Sequence, residues 1–291
     1  MRKKLTFVVF SVIVILAIAV SPAYAITGDW VRDNEHPFVG LAVFYDADGA
    51  FIWRCSGSLL DSTTFLTAGH CADTAGGAVT ARIYFQQDAG AHFDPATQID
   101  PVTGYPETCA PGTLGVVCAT VSEGHIYNFG FTGALTLPNT HDAGLLKLTE
   151  PIELSEYGQL PEARVLDSLT HARGTKDTIF TVSGYGLTYK ENVHNGKPNV
   201  SFRERLMAEA KLVNLNSMLN AGFNLQTQGN GTGLGGTCNG DSGGPVFLGH
   251  TSSNLIVGIT SFGLDALCRG SDFAFRVDQP DVLAWIQSYM Q

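Results

Sequence analysis

The stretch Gly-Asp-Ser-Gly-Gly-Pro, residues 240–245, places one serine among glycines on a tight turn. Its neighbours have small side chains, so the Ser242 hydroxyl is open and nearby backbone N–H groups can converge beside it. That arrangement can stabilise the oxyanion that forms when a hydroxyl attacks a carbonyl group. A serine hydroxyl is a weak nucleophile, so this interpretation requires a general base elsewhere in the chain. A Gly-rich structural turn is the alternative interpretation.

A candidate base lies in Thr-Ala-Gly-His-Cys, residues 67–71. His70 follows the apolar stretch Leu59–Leu66 and precedes a cysteine that can anchor it. A histidine with a pKa near the usual value of about 6.5 can accept a proton at neutral pH. A lone histidine is more often structural. The other histidines have no comparable setting: His36, His92, His125, His141, His171, His194 and His250.

Such a base needs a buried carboxylate that fixes its tautomer and orientation. Asp142 directly precedes the apolar stretch Ala143–Leu148, and a carboxylate that enters a core without a partner is costly. His70 is therefore its predicted partner. Most other aspartates between His70 and Ser242 lie in loop-like sequence: Asp73, Asp88, Asp94, Asp100, Asp167 and Asp177.

Residues 1–25 have the layout of a secretory signal peptide: three basic residues, an apolar stretch over Leu5–Val20, and an Ala-x-Ala ending at Ala25. An N-terminal membrane anchor is the alternative. No later segment reaches the ~18 apolar residues of a membrane helix, so we expect no membrane association after cleavage. The protein is predicted to be secreted and extracellular, with the periplasm as the alternative compartment.

The chain of 291 residues is acidic, with 27 acidic and 17 basic residues and a net charge of −10. Nucleic-acid binding requires phosphate neutralisation, so no nucleic-acid partner is expected. All six cysteines follow Ala25, and export favours disulfides, for which six cysteines allow 15 connectivities. Without a CxxC pair or an HExxH motif, neither a metal nor a cofactor is expected.

Short apolar stretches rich in Val, Ile, Phe and Thr recur between turn signals, which predicts an antiparallel barrel or sandwich. They are Phe38–Tyr45, Ser58–Ala68, Ala81–Phe85, Ala143–Leu148, Thr178–Ser183, Pro245–Leu248 and Leu255–Phe262. One C-terminal helix is predicted, with Asp278 as its cap, Pro280 in its first turn, and one apolar face. Residues 86–130 and 189–201 are predicted to be surface loops. We expect a boundary between two halves of the chain near residues 151–166.

Three motifs together resemble the chymotrypsin/trypsin-type serine proteases: the stretches at 67–71 and 240–245, and Asp-x-x-Leu-Leu-Lys-Leu at 142–148. Their order, His then Asp then Ser, is that of this family. Residues 55–59, 182–186 and 261–263 extend the resemblance to nearly all of residues 26–291.

The resemblance implies an all-β fold of two six-stranded antiparallel barrels with the active site between them, followed by a C-terminal α-helix. The first barrel would cover residues 26–155, the second 156–277, and the helix 279–291. The implied function is that of a serine endopeptidase with an acyl-enzyme. Ser242 would be the nucleophile, His70 the base and Asp142 its partner, with the N–H groups of Gly240 and Ser242 as the oxyanion hole.

The family pattern also implies disulfides Cys55–Cys71 and Cys238–Cys268, which leaves Cys109 and Cys118 as a pair. Residues Ser261, Phe262 and Gly263 would pair with the substrate backbone. In trypsin-like relatives the pocket floor carries an aspartate where this chain has Gly236, followed by Thr237. Asp272 would lie on the opposite wall, and we expect broad specificity: Arg or Lys together with large apolar residues. An Asp272 that points to solvent is the alternative.

Cleavage after Ala25 would expose Ile26-Thr27-Gly28-Asp29, which resembles the activated N-terminus of the family. Ile26 would then pair with Asp241 without a separate zymogen cleavage; an accidental match is the alternative. Two other functions remain open: a catalytically inactive binding module, and an esterase that uses the same triad. Expected partners are polypeptide substrates and protein protease inhibitors, and the protein is expected to be a monomer.

Overall fold

The computed structural model describes residues 26–89, 105, 109, 117–128, 137–170, 177–188, 202–265 and 268–290. The predicted signal peptide and the predicted loop at 189–201 lie outside the described residues, as does most of the sequence between 90 and 116. No helix in the described part of the chain is long and apolar enough to cross a membrane.

The first strands, β1 (Thr27–Gly28) and β2 (Val31–Arg32), do not join the first barrel. Strand β1 pairs with β12 (Gly235–Gly236), and β2 pairs with a strand of the second barrel. The predicted division at 26–155 assigns this segment to the first barrel. The backbone pairing instead attaches it to the second, because the N-terminal segment hydrogen-bonds beside the stretch that precedes Ser242.

The first barrel is closed by six antiparallel strands in the order β3-β4-β5-β8-β7-β6. Most of them are Val-, Ile-, Leu- and Phe-rich strands whose inward side chains fill the barrel. Their bounds are β3 (Val39–Tyr45), β4 (Phe51–Leu59), β5 (Thr64–Thr67), β6 (Thr80–Tyr84), β7 (Cys118–Ile126) and β8 (Gly144–Leu148).

Strand β7 corrects the prediction of a loop over residues 86–130. Its sequence is largely polar, and most of its residues beyond Ala119 are partly or fully exposed. Strand β7 nevertheless pairs with both β6 and β8. Strand β7 is held by the hydrogen bonds that close the barrel and not by the burial of an apolar face. The periodicity of the sequence therefore did not predict it.

The second barrel contains the strands that carry the other motifs. A sheet in the order β11-β15-β14-β13-β9-β10-β2 closes through a further β10–β11 pairing, and β2 lies outside the ring. The bounds are β9 (Ile179–Gly184), β10 (Leu206–Asn214), β11 (Asn224–Gln228), β13 (Pro245–Leu248), β14 (Ile256–Gly263) and β15 (Ser271–Arg276). Two six-stranded antiparallel barrels thus confirm the predicted fold class.

The helices are short: α1 (Gly69–Ala72), which carries His70, and α2 (Pro280–Gln287) at the C-terminus, with 3₁₀ turns at Thr74–Gly76 and Asp167–Leu169. The prediction that Asp278 caps α2 is wrong, since Gln279 occupies the cap position and makes no side-chain capping bond. The buried Asp278 carboxylate instead accepts hydrogen bonds from the Arg276 guanidinium at 2.8 Å.

A buried polar cluster joins the two barrels. The Arg205 side chain on β10 donates to the carbonyl oxygens of Val39 and Phe85 in the first barrel, both at 3.0 Å, and to that of Asp33 at 3.1 Å. The Asp33 carboxylate lies 2.9 Å from His36 Nδ1, and both residues are fully buried. These contacts fix the relative position of the barrels, and therefore of the cleft between them.

Three disulfides are present: Cys55–Cys71, Cys109–Cys118 and Cys238–Cys268. They are the pairs that the family pattern implies. The first joins β4 to α1 beside His70, and the third lies along the cavity next to Ser242.

Candidate active site

His70 is held in place by Asp142. Strand β5 delivers the chain to α1, and the backbone N–H of His70 donates to Asp142 Oδ1 at 2.9 Å. The ring nitrogen Nδ1 lies 2.9 Å from Oδ2 and 3.1 Å from Oδ1 of the same carboxylate. Asp142 therefore fixes both the backbone and the ring of His70, and directs Nε2 away from itself.

This pair also controls the basicity of the imidazole. Asp142 is 1% exposed, whereas the His70 side chain remains 31% exposed. Burial disfavours the imidazolium, but the charge of Asp142 and its hydrogen bond outweigh that effect, so the pKa of His70 is raised above its ordinary value. The Ser261 hydroxyl donates a further hydrogen bond to Asp142 Oδ2.

The loop around Ser242 is anchored on both barrels. Gly240 has φ +92°, a left-handed conformation that favours glycine. From the second barrel, the carbonyl of Thr260 accepts from the Gly243 N–H at 2.8 Å. From the first, the Ser56 N–H donates to the carbonyl of Ser242 at 2.7 Å, and the Ser56 hydroxyl to that of Gly240 at 2.8 Å.

These contacts bring the segment that carries His70 next to the loop that carries Ser242. The sulfur of Cys71, the residue after His70, lies 3.7 Å from the carbonyl oxygen of Ser242. Within the described residues, the backbone N–H groups of Gly240 and Ser242 make no hydrogen bond, whereas those of Asp241, Gly243 and Gly244 do. Two donors beside the serine are thus available to an incoming oxygen atom.

Asp241 lies beneath this loop, fully buried. It accepts hydrogen bonds from the backbone N–H groups of Gly186 at 2.8 Å, Cys238 at 3.0 Å and Ile26. Burial nevertheless raises the pKa of Asp241 to about 8, with a contribution from the charge of Asp272. No lysine, arginine or histidine in the described part of the chain forms an ion pair with it.

Ile26 is also fully buried, and the residues after it form a tight turn against the second barrel. Gly28 has φ +81°, and a side chain there would meet the carbonyl oxygen of Leu234 at 2.3 Å. Asp29 departs from the family pattern but fits locally, since its carboxylate accepts from the Gly233 N–H at 2.6 Å.

A cavity of about 460 Å³ opens beside Ser242. The predicted residues Thr237, Ser261, Phe262, Gly263 and Asp272 line it. Strand β14 continues to Gly263 beside β15, whereas β13 begins only at Pro245, which pairs with Ile259. The segment 261–263 therefore extends beyond β13, along the cavity wall.

The carboxylate of Asp272 lies in the wall of this cavity. The N–H of Thr237 donates to Asp272 Oδ2 at 2.8 Å, and a side chain on Gly236 would meet the same oxygen at 2.5 Å. Burial raises the pKa of Asp272 to about 7, although the hydrogen bonds from Thr237 oppose the shift. A side chain on Gly263 would meet Oδ1 at 3.8 Å, so the other oxygen faces the entrance.

One group of potential metal ligands lies at the site. A sulfur from each of Cys55 and Cys71 and a nitrogen of His70 lie within 4.8 Å of one another. The two sulfurs are bonded to each other, so neither can act as a thiolate ligand. The imidazole alone makes a poor metal site.

Sequence analysis missed the role of Ser56, which holds the Ser242 loop on the first barrel. Its hydroxyl also accepts a hydrogen bond from the Tyr185 N–H at 2.9 Å. Ser56 lies in the motif at 55–59, and a small polar residue in an otherwise buried strand was the available signal. The contact itself joins residues far apart in the sequence, so no local pattern predicts it.

The two barrels, the His70–Asp142 pair and the serine loop define a protein of the serine protease class with the chymotrypsin fold. The family model described as Trypsin matches residues 25–286. The chain belongs to the Trypsin family.

Several curated relatives are similar over most of this chain. Brachyurin of Leptuca pugilator is 29% identical over 246 residues, covering 81% of this chain and 88% of brachyurin. CLIP domain-containing serine protease B9 of Anopheles gambiae is 26% identical and covers 88% of this chain. This chain spans only 60% of the length of the mosquito protein.

Solved structures show the same architecture. The structure described as HL collagenase has a TM-score of 0.59 and 18% identity, covering 92% of this chain and 97% of that one. Human heparin binding protein has a TM-score of 0.58 and 20% identity, covering 90% and 95%. At these identities the likeness establishes the fold alone.

Proposed function

We propose that this chain is a secreted serine endopeptidase that hydrolyses peptide bonds through Ser242, His70 and Asp142. The observation that carries the proposal is the His70–Asp142 pair, in which a buried carboxylate orients an imidazole that is itself accessible and raises its pKa. A merely structural histidine would not need an accessible ring beside a serine loop. Family membership and the cavity next to Ser242 support the same function.

The chemistry follows from these groups. His70 accepts the proton of the Ser242 hydroxyl as the oxygen attacks the peptide carbonyl, and Asp142 stabilises the resulting imidazolium. The oxyanion takes hydrogen bonds from the backbone N–H groups of Gly240 and Ser242. His70 then donates its proton to the leaving amine. The acyl-enzyme is hydrolysed when His70 accepts a proton from water and returns it to Ser242.

The primary pocket is proposed to accept Arg or Lys together with large apolar residues. The half-buried carboxylate of Asp272 approaches from the wall and accepts a hydrogen bond from the Thr237 N–H. It can attract the cation of an Arg or Lys side chain, but from the side of the pocket and not from its floor. Gly236 does not line the cavity but adds no side chain next to the Asp272 carboxylate, and Gly263 leaves the entrance wide enough for bulky apolar side chains.

Activation is proposed to follow from signal-peptide cleavage after Ala25. The new α-ammonium of Ile26 would lie where the Ile26 N–H now contacts Asp241. A fully buried carboxylate without a cation is costly, and the ammonium supplies the missing charge. Expected partners are polypeptide substrates and protein protease inhibitors that occupy the cleft, and the protein is proposed to act as a monomer.

An organophosphate tests the proposal against an inactive binding module. The reagent bonds covalently to a serine hydroxyl only where a base removes its proton, so mass spectrometry of the mature protein should find the adduct on the peptide that contains Ser242. The Ser242→Ala protein is the matched control. An unmodified Ser242 under conditions that label a known serine protease would contradict the proposal.

An esterase with the same triad would be labelled equally well. Hydrolysis of matched peptide and ester substrates with the same acyl residue separates the two functions. We expect both to be turned over, since a triad with a proton-donating His70 can protonate an amine leaving group. Turnover of esters alone would favour the esterase.

A further inference from the structure

Arg54 lies in an aromatic setting beside the loop that carries Gly240. Its guanidinium carbon is 4.6 Å from the centre of the Phe51 ring and 4.1 Å from that of Phe202. Arg54 Nη1 donates to the Tyr105 hydroxyl at 3.0 Å, and that hydroxyl donates to the carbonyl of Phe202. Stacking and this hydrogen bond hold a half-buried guanidinium in one orientation.

The backbone places this guanidinium next to the reacting serine. Arg54 and Ser56 are two residues apart on β4, so their side chains share a face of the strand. Ser56 binds the carbonyl oxygens of Ser242 and Gly240. A side chain on Gly240 would meet the Phe202 ring at 2.6 Å, so that ring packs directly on the proposed oxyanion glycine.

Arg54 and the two rings on which it stacks lie outside the cavity next to Ser242. The cavity lining includes Asn239 and Ser242 but neither Arg54, Phe51 nor Phe202. A substrate whose acyl-side residue filled the cavity would cross Ser242, and its leaving-group segment, the residues after the scissile bond, would lie outside the cavity. Gly240, on which the Phe202 ring packs, is next to that point.

The charge of Arg54 is uncompensated within the described part of the chain. Four other arginines there form ion pairs with carboxylates: Arg32, Arg164, Arg203 and Arg276. Arg54 forms none, although the protein has ten more acidic than basic residues. Its Nε and Nη2 groups make no hydrogen bond to described residues. Among the described residues, this edge of the guanidinium is therefore available for a ligand.

A second such guanidinium lies on the same face of the first barrel. Val43 on β3 is paired with Arg54 on one side and Arg82 on the other, which puts the two arginines two strands, or roughly 10 Å, apart. Arg82 stacks on the Tyr45 ring at 4.4 Å and likewise has no carboxylate partner among the described residues. The two charges make this face locally positive.

We propose that Arg54, stacked on Phe51 and Phe202, is a binding site for an acidic side chain of the substrate within the first residues after the scissile bond. Its ligand is the carboxylate of Asp or Glu, which the free edge of the guanidinium can take in two hydrogen bonds. The inference rests on the proposed protease function. It adds a preference for acidic residues after the scissile bond to the preference of the cavity for the residue before it.

The test uses peptides with a quenched fluorophore, identical except for Glu, Gln or Lys at the first, second or third leaving-group position. The readout is the ratio of kcat/KM for the Glu peptide over the Lys peptide, in which general effects on the chemistry of Ser242 cancel. For the wild type we expect Glu to exceed Gln by about fivefold at one position, the size of a good, partly exposed ion pair. This preference should weaken as salt is raised.

Arg54→Gln should bring the Glu/Lys and Glu/Gln ratios to about one, and Arg54→Lys should restore part of the preference for Glu. Arg164→Gln is the matched control: it removes the same charge from an exposed site in another part of the protein and should keep the wild-type ratios. Unchanged ratios in Arg54→Gln, or an equal change in Arg164→Gln, would overturn the inference. Absence of all peptide hydrolysis by the wild type would overturn the proposed function, and this inference with it.

Discussion

Ser261, on β14 of the second barrel, donates a hydrogen bond to Asp142, the first-barrel carboxylate that also binds His70. The His70–Asp142 pair is thus tied to the strand that forms the wall of the specificity cavity. We therefore expect that a substrate paired with β14 would contact the same structural unit that orients the proposed base.

Asp142→Asn should lower kcat by about 10⁴-fold, because the amide cannot hold the productive tautomer of His70. Ser261→Ala should cost about tenfold, since it removes only one of several hydrogen bonds to the carboxylate. The measurement is steady-state kinetics on a peptide nitroanilide. Combining Ser242→Ala with His70→Ala should cost little more than the worse single change, because the groups act as a unit. More than a tenth of wild-type kcat in Asp142→Asn would contradict the assignment.

Asp272 should determine the response to charged substrates. Asp272→Gly or Asp272→Asn should reduce kcat/KM for Arg and Lys substrates by about tenfold or more relative to Leu and Phe substrates, because a half-desolvated charge pair is lost. An unchanged ratio of Arg to Leu turnover would show that the carboxylate does not contact the substrate.

The same ratio should depend on pH. With its pKa raised to about 7, Asp272 is neutral in more acidic solution and charged above that pH. The Arg/Leu ratio should therefore rise as pH increases through 7, and be flat in Asp272→Asn. Titration of His70 affects both substrates alike and cancels in the ratio. For a Leu substrate alone, kcat/KM should rise with a midpoint above the ordinary histidine value, because the pKa of His70 is raised.

A free Ile26 terminus should be needed for activity. Residues 26–291 with an N-terminal extension that only a tag protease can remove should lose about 10²-fold or more in kcat/KM, since a buried ion pair missing one partner typically costs about 3–5 kcal/mol. Removal of the extension by a tag protease should restore turnover. Equal turnover of both forms would refute the activation proposal and leave the triad assignment intact.

Asp33 should be a large contributor to stability. Burial alone would raise its pKa, but the hydrogen bond and charge of His36, and then the charge of Arg205, lower it. Asp33→Ala should reduce the free energy of unfolding in urea by about 3–5 kcal/mol, because the buried His36 ring and Ser183 hydroxyl lose the carboxylate to which they are hydrogen-bonded and Arg205 loses a nearby opposite charge. Glu204→Gln is the control on the exposed Arg32 pair and should cost about 1 kcal/mol or less.

The stabilising effect of Asp33 should also vary with pH. A carboxylate with a lowered folded-state pKa contributes its full stability above the unfolded value of about 3.9 and loses it as pH falls through the folded-state value. The stability difference between wild type and Asp33→Ala should therefore shrink in strong acid. An undiminished difference there would mean that the charge of Asp33 is not the source of the effect.

Local patterns were sufficient for much of the fold. The stretches 39–45, 144–148, 245–248 and 256–262 form strands close to their predicted bounds, since alternating or continuous apolar side chains must be buried wherever the strand lies. Motif spacing and order indicated the family, and the disulfide pairs followed from it. The polar strand β7 could not be predicted, because it is held by the hydrogen bonds that close the first barrel. The role of Asp278 could not be predicted either, because its carboxylate pairs with Arg276 instead of capping the helix.

The proposed nucleophile, base and carboxylate can be named from the sequence because each lies in a distinctive short motif next to a turn or a strand. Their relation to the rest of the molecule cannot, because the deciding contacts join residues that are distant in the chain. Ser56 against Ser242, Ser261 against Asp142, Asp272 against Thr237 and Arg54 against Phe202 all come from the closure and packing of the two barrels. Short-range chemistry in the sequence therefore specifies which groups are present, whereas long-range backbone pairing determines which of them meet, and at what distance.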